Sequence, residues 1–167
     1  DVMRHFGNDS QVVAADETPW PTRACVISET GAECVARNGW GQVLRTRTGA
    51  QFSEVIEVGV PQRIDPDAIR FAAPMMESRY AGRPDDTLRE EWFLFCKTGG
   101  PYKRSSFIRG EERLWLDLMD DPGWVRAFVD RVTDHLIVVG VESIRRWRMQ
   151  ETGIQINDDV AANWGPF

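Results

Sequence analysis

The spacing of apolar and polar residues divides the chain into a first half of short strands and a second half in which strands and helices alternate. Residues 11–15 form a short apolar run that ends at Asp16, and prolines follow it. Four segments then alternate in the manner of half-buried strands: residues 24–29, 33–37, 42–48 and 51–58. Turn signals separate them, and Asn38-Gly39 predicts a two-residue hairpin turn. We therefore predict an antiparallel β-meander at about residues 23–60.

The second half of the chain has the pattern of a βαβ unit at about residues 92–159. Residues 92–97 are continuously apolar, as expected of a parallel strand covered on both faces. Asp121-Pro122 is a helix-start signal, and apolar residues three or four apart predict a long helix from there to about Trp147. A second strand follows at residues 154–157. A right-handed crossover makes the two strands parallel.

The remaining segments are predicted to be short elements and connections. Asp65-Pro66 predicts a short helix, and residues 72–86, rich in proline, glycine and charge, read as a connector. A further short helix is expected at about residues 111–119. Residues 98–109 read as a glycine-proline loop that also carries basic side chains.

Composition narrows the class of protein. The 167 residues are 42% hydrophobic and 28% charged, which is typical of a globular domain, but a complete eight-stranded barrel needs about 250 residues. A net charge of −6 argues against a nucleic-acid partner, and no apolar run approaches the roughly 20 residues of a membrane span. The three cysteines, Cys25, Cys34 and Cys96, predict free thiols in a reducing cytoplasm, with a Cys25–Cys34 bridge as the alternative.

Three of the predicted strands end in polar residues or glycine. These residues are Asp16 and Glu17 after the first strand; Thr98, Gly99, Gly100 and Tyr102 after the second; and Asn157, Asp158, Asp159 and Asn163 after the third, with Trp164 just beyond. Because the carboxyl ends of parallel strands meet at one face, and that face carries the active site in a barrel, we expect these residues to surround a common cavity.

Each of these residues also has a structural interpretation. Asp158 and Asp159 are candidate catalytic carboxylates, but an acid after a strand also serves as a helix cap or orders a loop. Asp16-Glu17 has the same ambiguity. The Gly99-Gly100 pair lets a ligand approach the backbone, or forms a plain turn. Two tryptophans beyond strand ends, Trp20 and Trp164, are candidates for lining a ligand pocket.

Four segments resemble the uroporphyrinogen decarboxylase family. The run Val-Val-Ala-Ala-Asp at residues 12–16, followed by Pro21, is similar to the family's strand that ends in an aspartate. Residues 93–102 resemble its strand and glycine-proline-aromatic loop, residues 116–122 its next segment, and residues 154–161 a further strand that ends in an acid. The resemblance spans most of the chain but only part of the family's barrel.

The resemblance implies an α/β fold, namely a partial TIM (β/α)₈-type barrel with the β-meander inserted. Residues 1–167 would form one incomplete barrel domain. An isolated partial barrel leaves strand edges open, so we expect a fragment, missing sequence or a homodimer. In this family Asp16 would bind the pyrrole N–H groups of a tetrapyrrole, with Asp158 or Asp159 assisting.

This sequence departs from the family's pattern at several positions. The family's cleft tyrosine falls at Phe107, which has no hydroxyl group, and the serine after the strand acid falls at Asp159. The N-terminal arginine motif that binds substrate carboxylates is absent, as are the strands of the C-terminal half. The predicted substrate-binding residues are Glu17, Gly99, Gly100, Tyr102, Phe107, Asn157 and Trp164.

The predicted function is a uroporphyrinogen decarboxylase-like carboxy-lyase acting on a small molecule, a tetrapyrrole or a related ring. Decarboxylation in this family needs no cofactor, and no metal ligand is assigned. The first alternative is a corrinoid-linked methyltransferase of the same superfamily, which would use zinc or a corrinoid and take a corrinoid-bound methyl group. The second is a non-catalytic fragment or binding protein.

Overall fold

The computed structural model describes residues 5–162 and 165–166, which form a mixed α/β fold with a parallel and an antiparallel sheet. The strands are β1 Ser10–Val13, β2 Cys25–Glu29, β3 Glu33–Arg37, β4 Val43–Arg47, β5 Glu54–Glu57, β6 Phe93–Gly99, β7 Ile154–Asn157, β8 Ala161–Ala162 and β9 Gly165–Pro166. The helices are α1 Asp86–Glu91, α2 Pro101–Arg109, α3 Glu111–Asp120 and α4 Pro122–Arg146. Single 3₁₀ turns occupy Pro21–Arg23, Pro66–Ala68 and Glu77–Tyr80.

The parallel sheet has the strand order β1-β6-β7. Val12 of β1 lies beside Phe95 of β6, and Cys96 of β6 lies beside Ile154 of β7. Helices α2, α3 and α4 lie between β6 and β7, and the two strands pair in parallel, so the predicted βαβ unit is confirmed. Within the described residues this sheet has three strands and does not close into a barrel.

Helix α4 contributes residues to two apolar clusters, one along each half of the helix. Leu94 and Cys96 of the parallel sheet pack with Val139 and Trp147 in one cluster. The other cluster joins the first half of α4 to α2, α3 and the segments before and after the meander; it includes Trp20, Val60, Ile108, Leu114, Phe128 and Val132. The apolar positions that predict α4 from the sequence therefore face the core, and Asp121 caps the helix by accepting a hydrogen bond from the Trp124 N–H at 3.0 Å.

The inserted meander has the strand order β2-β3-β4-β5, as predicted. Trp20 fixes it to the rest of the molecule, because a Cβ on Gly59 would lie 2.5 Å from the indole ring and one on Gly41 would lie 2.9 Å from it. The Trp20 indole N–H donates to the Arg70 carbonyl at 2.7 Å. Trp20 is buried, so the expectation that it lines a ligand pocket is wrong.

Two local predictions fail. The β3–β4 turn is longer than the two-residue Asn-Gly hairpin: residues 38–42 connect the strands, and Gly41 has a φ of 80°. The Asn38 carboxamide oxygen accepts hydrogen bonds from the Trp40 and Gln42 N–H groups at 3.0 and 3.1 Å, which stabilises the wider turn. In addition, residues 98–109 are not a loop, since α2 begins at Pro101.

The three cysteines agree with the prediction of free thiols. Cys25, Cys34 and Cys96 are all free thiols, and burial raises the pKa of the Cys96 thiol. In the part of the chain that the structure describes, no helix combines the length and the apolar character needed to cross a bilayer.

Candidate functional site

The carboxyl ends of β1, β6 and β7 lie at one edge of the parallel sheet, and hydrogen bonds connect the segments beyond them. The Gly100 N–H donates to the Asn157 carbonyl at 2.5 Å, which joins the ends of β6 and β7. Glu17, after β1, contacts Gly99 at the end of β6. The three strand ends therefore lie at one edge, as expected of parallel strands; that their residues surround a common cavity stays a prediction.

Glu17 connects these elements through a buried carboxylate. Its oxygens accept hydrogen bonds from the Gly99 N–H at 3.0 and 3.1 Å and from the Thr98 hydroxyl at 2.8 Å. The Arg104 guanidinium of α2 forms an ion pair with the same carboxylate. Because the protein's own donors occupy it, Glu17 positions the strand ends in this structure.

The two glycines at the end of β6 allow side chains of the protein itself to approach the backbone. A Cβ on Gly99 would lie 1.8 Å from Nε of Arg104, and a Cβ on Gly100 would lie 2.1 Å from Cβ of Asp158. No side chain other than hydrogen fits at Gly100 unless Asp158 moves. The close approach predicted for a ligand is thus made here by Arg104 and Asp158.

Asp158 caps helix α2, although it lies far beyond that helix in the sequence. Its two carboxylate oxygens accept hydrogen bonds from the Tyr102 N–H at 3.1 Å and the Lys103 N–H at 2.7 Å. The residue at the N-cap position, Gly100, has no side chain to do so. A carboxylate here is stabilised by free N–H groups and by the positive end of the helix dipole. Of the two interpretations of Asp158 from the sequence, a catalytic carboxylate or a helix cap, its contacts in the structure are those of a helix cap.

Asp159 and Asn157 lie on the solvent side of this edge. The Asp159 side chain is 69% exposed, and its carboxylate lies 3.1 Å from the ammonium group of Lys103. Lys103 also lies 4.0 Å from Glu111. Asn157 is exposed at the end of β7. These groups are accessible to a ligand, and they include a negative charge on Asp159 and a positive charge on Lys103.

Asp16 is exposed, and a buried arginine fixes its backbone. The side chain of Arg79 is 2% exposed, and its guanidinium donates to the carbonyls of Asp16 and Thr18 at 2.7 Å, of Ala73 at 3.0 Å and of Ala72 at 3.2 Å. The Asp16 N–H in turn donates to the Arg79 carbonyl at 2.9 Å. The Asp16 carboxylate accepts hydrogen bonds from the Thr18 N–H at 3.0 Å and the Thr18 hydroxyl at 2.7 Å through one oxygen, Oδ1.

His135 of α4 supports the same loop from the core. Its Nε2 lies 3.1 Å from the Glu17 carbonyl. Burial, reinforced by the cation of Arg79, lowers the pKa of His135 to about 4. The ring is therefore neutral at pH 7, with Nε2–H as the donor to Glu17. Neither Arg79 nor His135 has a local sequence signal for this role, because one lies in a connector and the other is one position on a long helix.

Tyr102 and Phe107 of α2 are half-buried, and Tyr102 packs against the apolar cluster that includes Trp20. The Trp115 indole N–H donates to the Tyr102 hydroxyl, and burial raises the pKa of that phenol. The Phe107 ring lies edge-on to Trp40, with a centroid distance of 5.7 Å, and 5.4 Å from the guanidinium carbon of Arg104. Phe107 thus helps to orient the arginine that pairs with Glu17. Trp164 and Asn163 lie outside the described residues.

We searched the described residues for a metal site and compared the chain with known proteins, and neither result identifies the chemistry of this edge of the sheet. Across residues 5–162, histidine, cysteine and acidic side chains nowhere gather in a group of three or more that could hold a metal ion. The chain matches no protein-family model, and no curated protein and no solved structure matches it.

Proposed function

We propose that this chain is part of a uroporphyrinogen decarboxylase-like (β/α)-barrel enzyme, a carboxy-lyase that acts on a tetrapyrrole or a related ring. The observation that carries the proposal is the exposed Asp16 carboxylate, which follows a parallel strand at its carboxyl end and belongs to a loop held by Arg79. The βαβ unit of β6, α4 and β7 supports it, since barrels of this type repeat such units.

Asp16 has the chemistry to hold a ring that presents N–H groups. A carboxylate accepts several hydrogen bonds at once, and only Oδ1 of Asp16 accepts the hydrogen bonds from Thr18. The backbone bonds to Arg79 keep the carboxylate in place, so little conformational entropy is lost when a ligand binds. His135 is buried and neutral, Arg79 is a cation, and the carboxylate of the neighbouring Glu17 is paired with Arg104.

The reaction implied by the resemblance needs no metal or organic cofactor. Protonation of an electron-rich pyrrole makes the ring an electron sink, and the bond between a side-chain methylene and its carboxylate then breaks. Carbon dioxide leaves, and the electron pair passes into the protonated ring. The methylene takes up one proton, and the ring releases the one that it gained.

Of the two acids after β7, Asp159 is the one we assign to the ligand. Its side chain is exposed beside the Lys103 ammonium, whereas both oxygens of Asp158 already accept hydrogen bonds from α2. Lys103 is a charge partner for a substrate carboxylate. Three free thiols, one of them the exposed Cys25, accord with the reducing cytoplasm as the proposed location.

The test is anaerobic incubation of the protein with uroporphyrinogen III, followed by oxidation and chromatographic separation of porphyrins by carboxylate number. We expect products with fewer carboxylates, and we expect Asp16→Asn to lower the rate by at least about 100-fold, because a carboxamide offers an N–H₂ group where the ring needs an acceptor. Asp9→Asn is the matched control. Asp9 precedes the same strand at its opposite end, and the variant should retain the wild-type rate.

Three outcomes would redirect the proposal. Turnover that Asp16→Asn leaves unchanged would place the active site elsewhere. Binding of the porphyrinogen without any product would favour a non-catalytic binding protein. Methyl transfer from methylcobalamin to a thiol, dependent on added zinc and without decarboxylation, would assign the chain to the corrinoid-linked methyltransferases.

A further inference from the structure

Helix α3 carries an apolar stripe on the face that points away from the core. Leu114 and Asp117 are the buried residues of this helix and define its inner face. On the other side, Trp115, Leu116 and Met119 are 50%, 58% and 84% exposed. Single exposed apolar side chains are common on soluble proteins, whereas a contiguous group of them marks a site of association.

The spacing of the stripe is that of a helix–helix interface. Together with Glu112, the three apolar residues occupy positions i, i+3, i+4 and i+7, so the four side chains form one row along about two turns of α3. An amphipathic helix presents apolar side chains at the same spacing, and the ridges of one helix pack into the grooves of another. The surface therefore favours an α-helix as its occupant over an extended strand.

The apolar surface extends from α3 to the edge strand of the meander. A depression of about 500 Å³ lies between α3 and β5, and its lining includes Val55, Ile56, Glu111 and Glu112. Val55 and Ile56 are 49% and 42% exposed. The same two glutamates also line the surface around Trp115. The two areas are therefore parts of one continuous surface.

The charges around the stripe determine the sign of the partner. The exposed acids of α3 are Glu111, Glu112 and Asp120, and its exposed base is Arg113, so the exposed side chains of the helix carry a net charge of −2. Lys103 of α2 lies 4.0 Å from Glu111 and offsets part of this charge. Because opposite charges across an interface steer association and fix its register, a cationic partner is favoured.

The same charges disfavour two other occupants of this face. A second copy bound through α3 would bring one set of acids against another, and like charges that face each other oppose association. An anionic lipid surface attracts clusters of lysine and arginine, whereas the exposed charges of α3 are mainly acidic.

We propose that the outward face of α3 binds a basic amphipathic α-helix of a partner protein. The apolar side chains of the partner pack on Leu116 and Met119, and its lysines or arginines pair with Glu112 and Asp120. Since the stripe is only about two turns long, the buried area falls below the roughly 1,200 Å² of a standard interface, and the complex is transient. We expect a dissociation constant of about 10–100 μM.

The test uses a fluorescein-labelled peptide of about 14 residues, made of two copies of Lys-Leu-Ala-Lys-Leu-Ala-Lys, which places leucines on one helix face and lysines on the other. Fluorescence anisotropy with the unmodified chain, from about 1 to 500 μM, should show saturable binding that weakens as salt is added. Two control peptides should each bind at least about tenfold more weakly. One has the same residues in an order that spreads the leucines around the helix, and the other has glutamate in place of lysine.

Variants of the stripe locate the binding surface. The double variant Leu116→Ser with Met119→Ser should weaken binding at least about tenfold, because it removes apolar contacts without a change of charge. Glu112→Lys should weaken binding at least about threefold, because a like charge then faces the peptide. All three side chains are exposed, so the variants should fold, which circular dichroism checks. Phe6→Ser is the matched control: Phe6 is 80% exposed, lies outside α3, and should be replaceable without loss of binding.

Absence of saturable binding over the whole range overturns the proposal. So does equal binding of either control peptide, or binding that the double variant leaves unchanged. If the chain instead binds phosphatidylcholine vesicles, or associates with itself, and the double variant abolishes that behaviour, the face belongs to a lipid surface or to a second copy and the proposal fails. These outcomes are independent of whether the chain decarboxylates a porphyrinogen.

Discussion

Replacing Arg79 with methionine should destabilise the protein by about 2–4 kcal/mol. The guanidinium donates to four backbone carbonyls, two on the loop after β1 and two on residues 72–73, and methionine fills much of the same space without a donor. A carbonyl left without a partner costs about 1–3 kcal/mol when it is buried. Four buried carbonyls would sum to about 4–12 kcal/mol. Water can reach part of this set, and the variant no longer buries a cation, so we expect a loss below that sum, at about 2–4 kcal/mol.

Arg79→Lys should lie between the wild type and Arg79→Met. Lysine keeps the charge but presents one compact ammonium group in place of a planar fork, so it cannot reach carbonyls on both segments in the same geometry. The comparison separates the effect of the charge from the effect of the donor arrangement.

The measurement is urea-induced unfolding followed by tryptophan fluorescence. With an m value of about 2 kcal/mol/M, a loss of 2–4 kcal/mol lowers the midpoint by about 1–2 M at constant m. Arg83→Met, at an exposed position of the same connector, should change stability by less than about 0.5 kcal/mol. If Arg79→Met stays within about 1 kcal/mol of the wild type, the buried guanidinium does not hold the loop that carries Asp16.

Two other variants test the same site. Since the pKa of His135 is about 4 in the fold and about 6.5 in an unfolded chain, only the unfolded chain gains a proton between these values, and stability should fall by about 3 kcal/mol as pH drops from 6.5 to 4. His135→Gln should remove this slope and His5→Gln should keep it in urea titrations at each pH. Gly100→Ala should cost at least about 2 kcal/mol because its Cβ would overlap the capping carboxylate, whereas Gly82→Ala, with open space around it, should be nearly neutral by thermal unfolding.

Sequence analysis predicts well those elements whose apolar periodicity and capping residues lie within or directly beside the element itself. Strand β7 coincides with residues 154–157, and α4 begins at Pro122 after its own Asp121 cap, because apolar period and capping residue are local features. The meander is likewise recognised by its alternation.

The sequence does not predict helix α2, because the residue that caps this helix lies far away in the chain. Its N-cap residue is a glycine, its nine residues include two serines, and no apolar stripe of helical period crosses it. The cap that stabilises its first turn is Asp158, which is 55 residues beyond Lys103 in sequence. No local pattern reports such a contact.

The candidate site also has one part that the sequence predicts and one part that depends on tertiary contacts. Polar residues at three strand ends are visible in the sequence, and parallel pairing brings them to one edge. Which carboxylate faces solvent is decided by tertiary contacts: Glu17 meets Arg104, while Asp16 remains outside. Adjacent acids with equal propensities cannot be distinguished without those contacts.

The remote origin of the α2 cap has a consequence for synthesis on the ribosome. When residues 101–109 leave the exit tunnel, the acid that satisfies their first N–H groups has not yet been made. At about 5–20 residues per second, the 55 residues that separate Lys103 from Asp158 take roughly 3–11 seconds to add. During that interval the start of the helix is solvated by water, and the nascent chain acquires its finished βαβ layer only when its last parallel strand arrives.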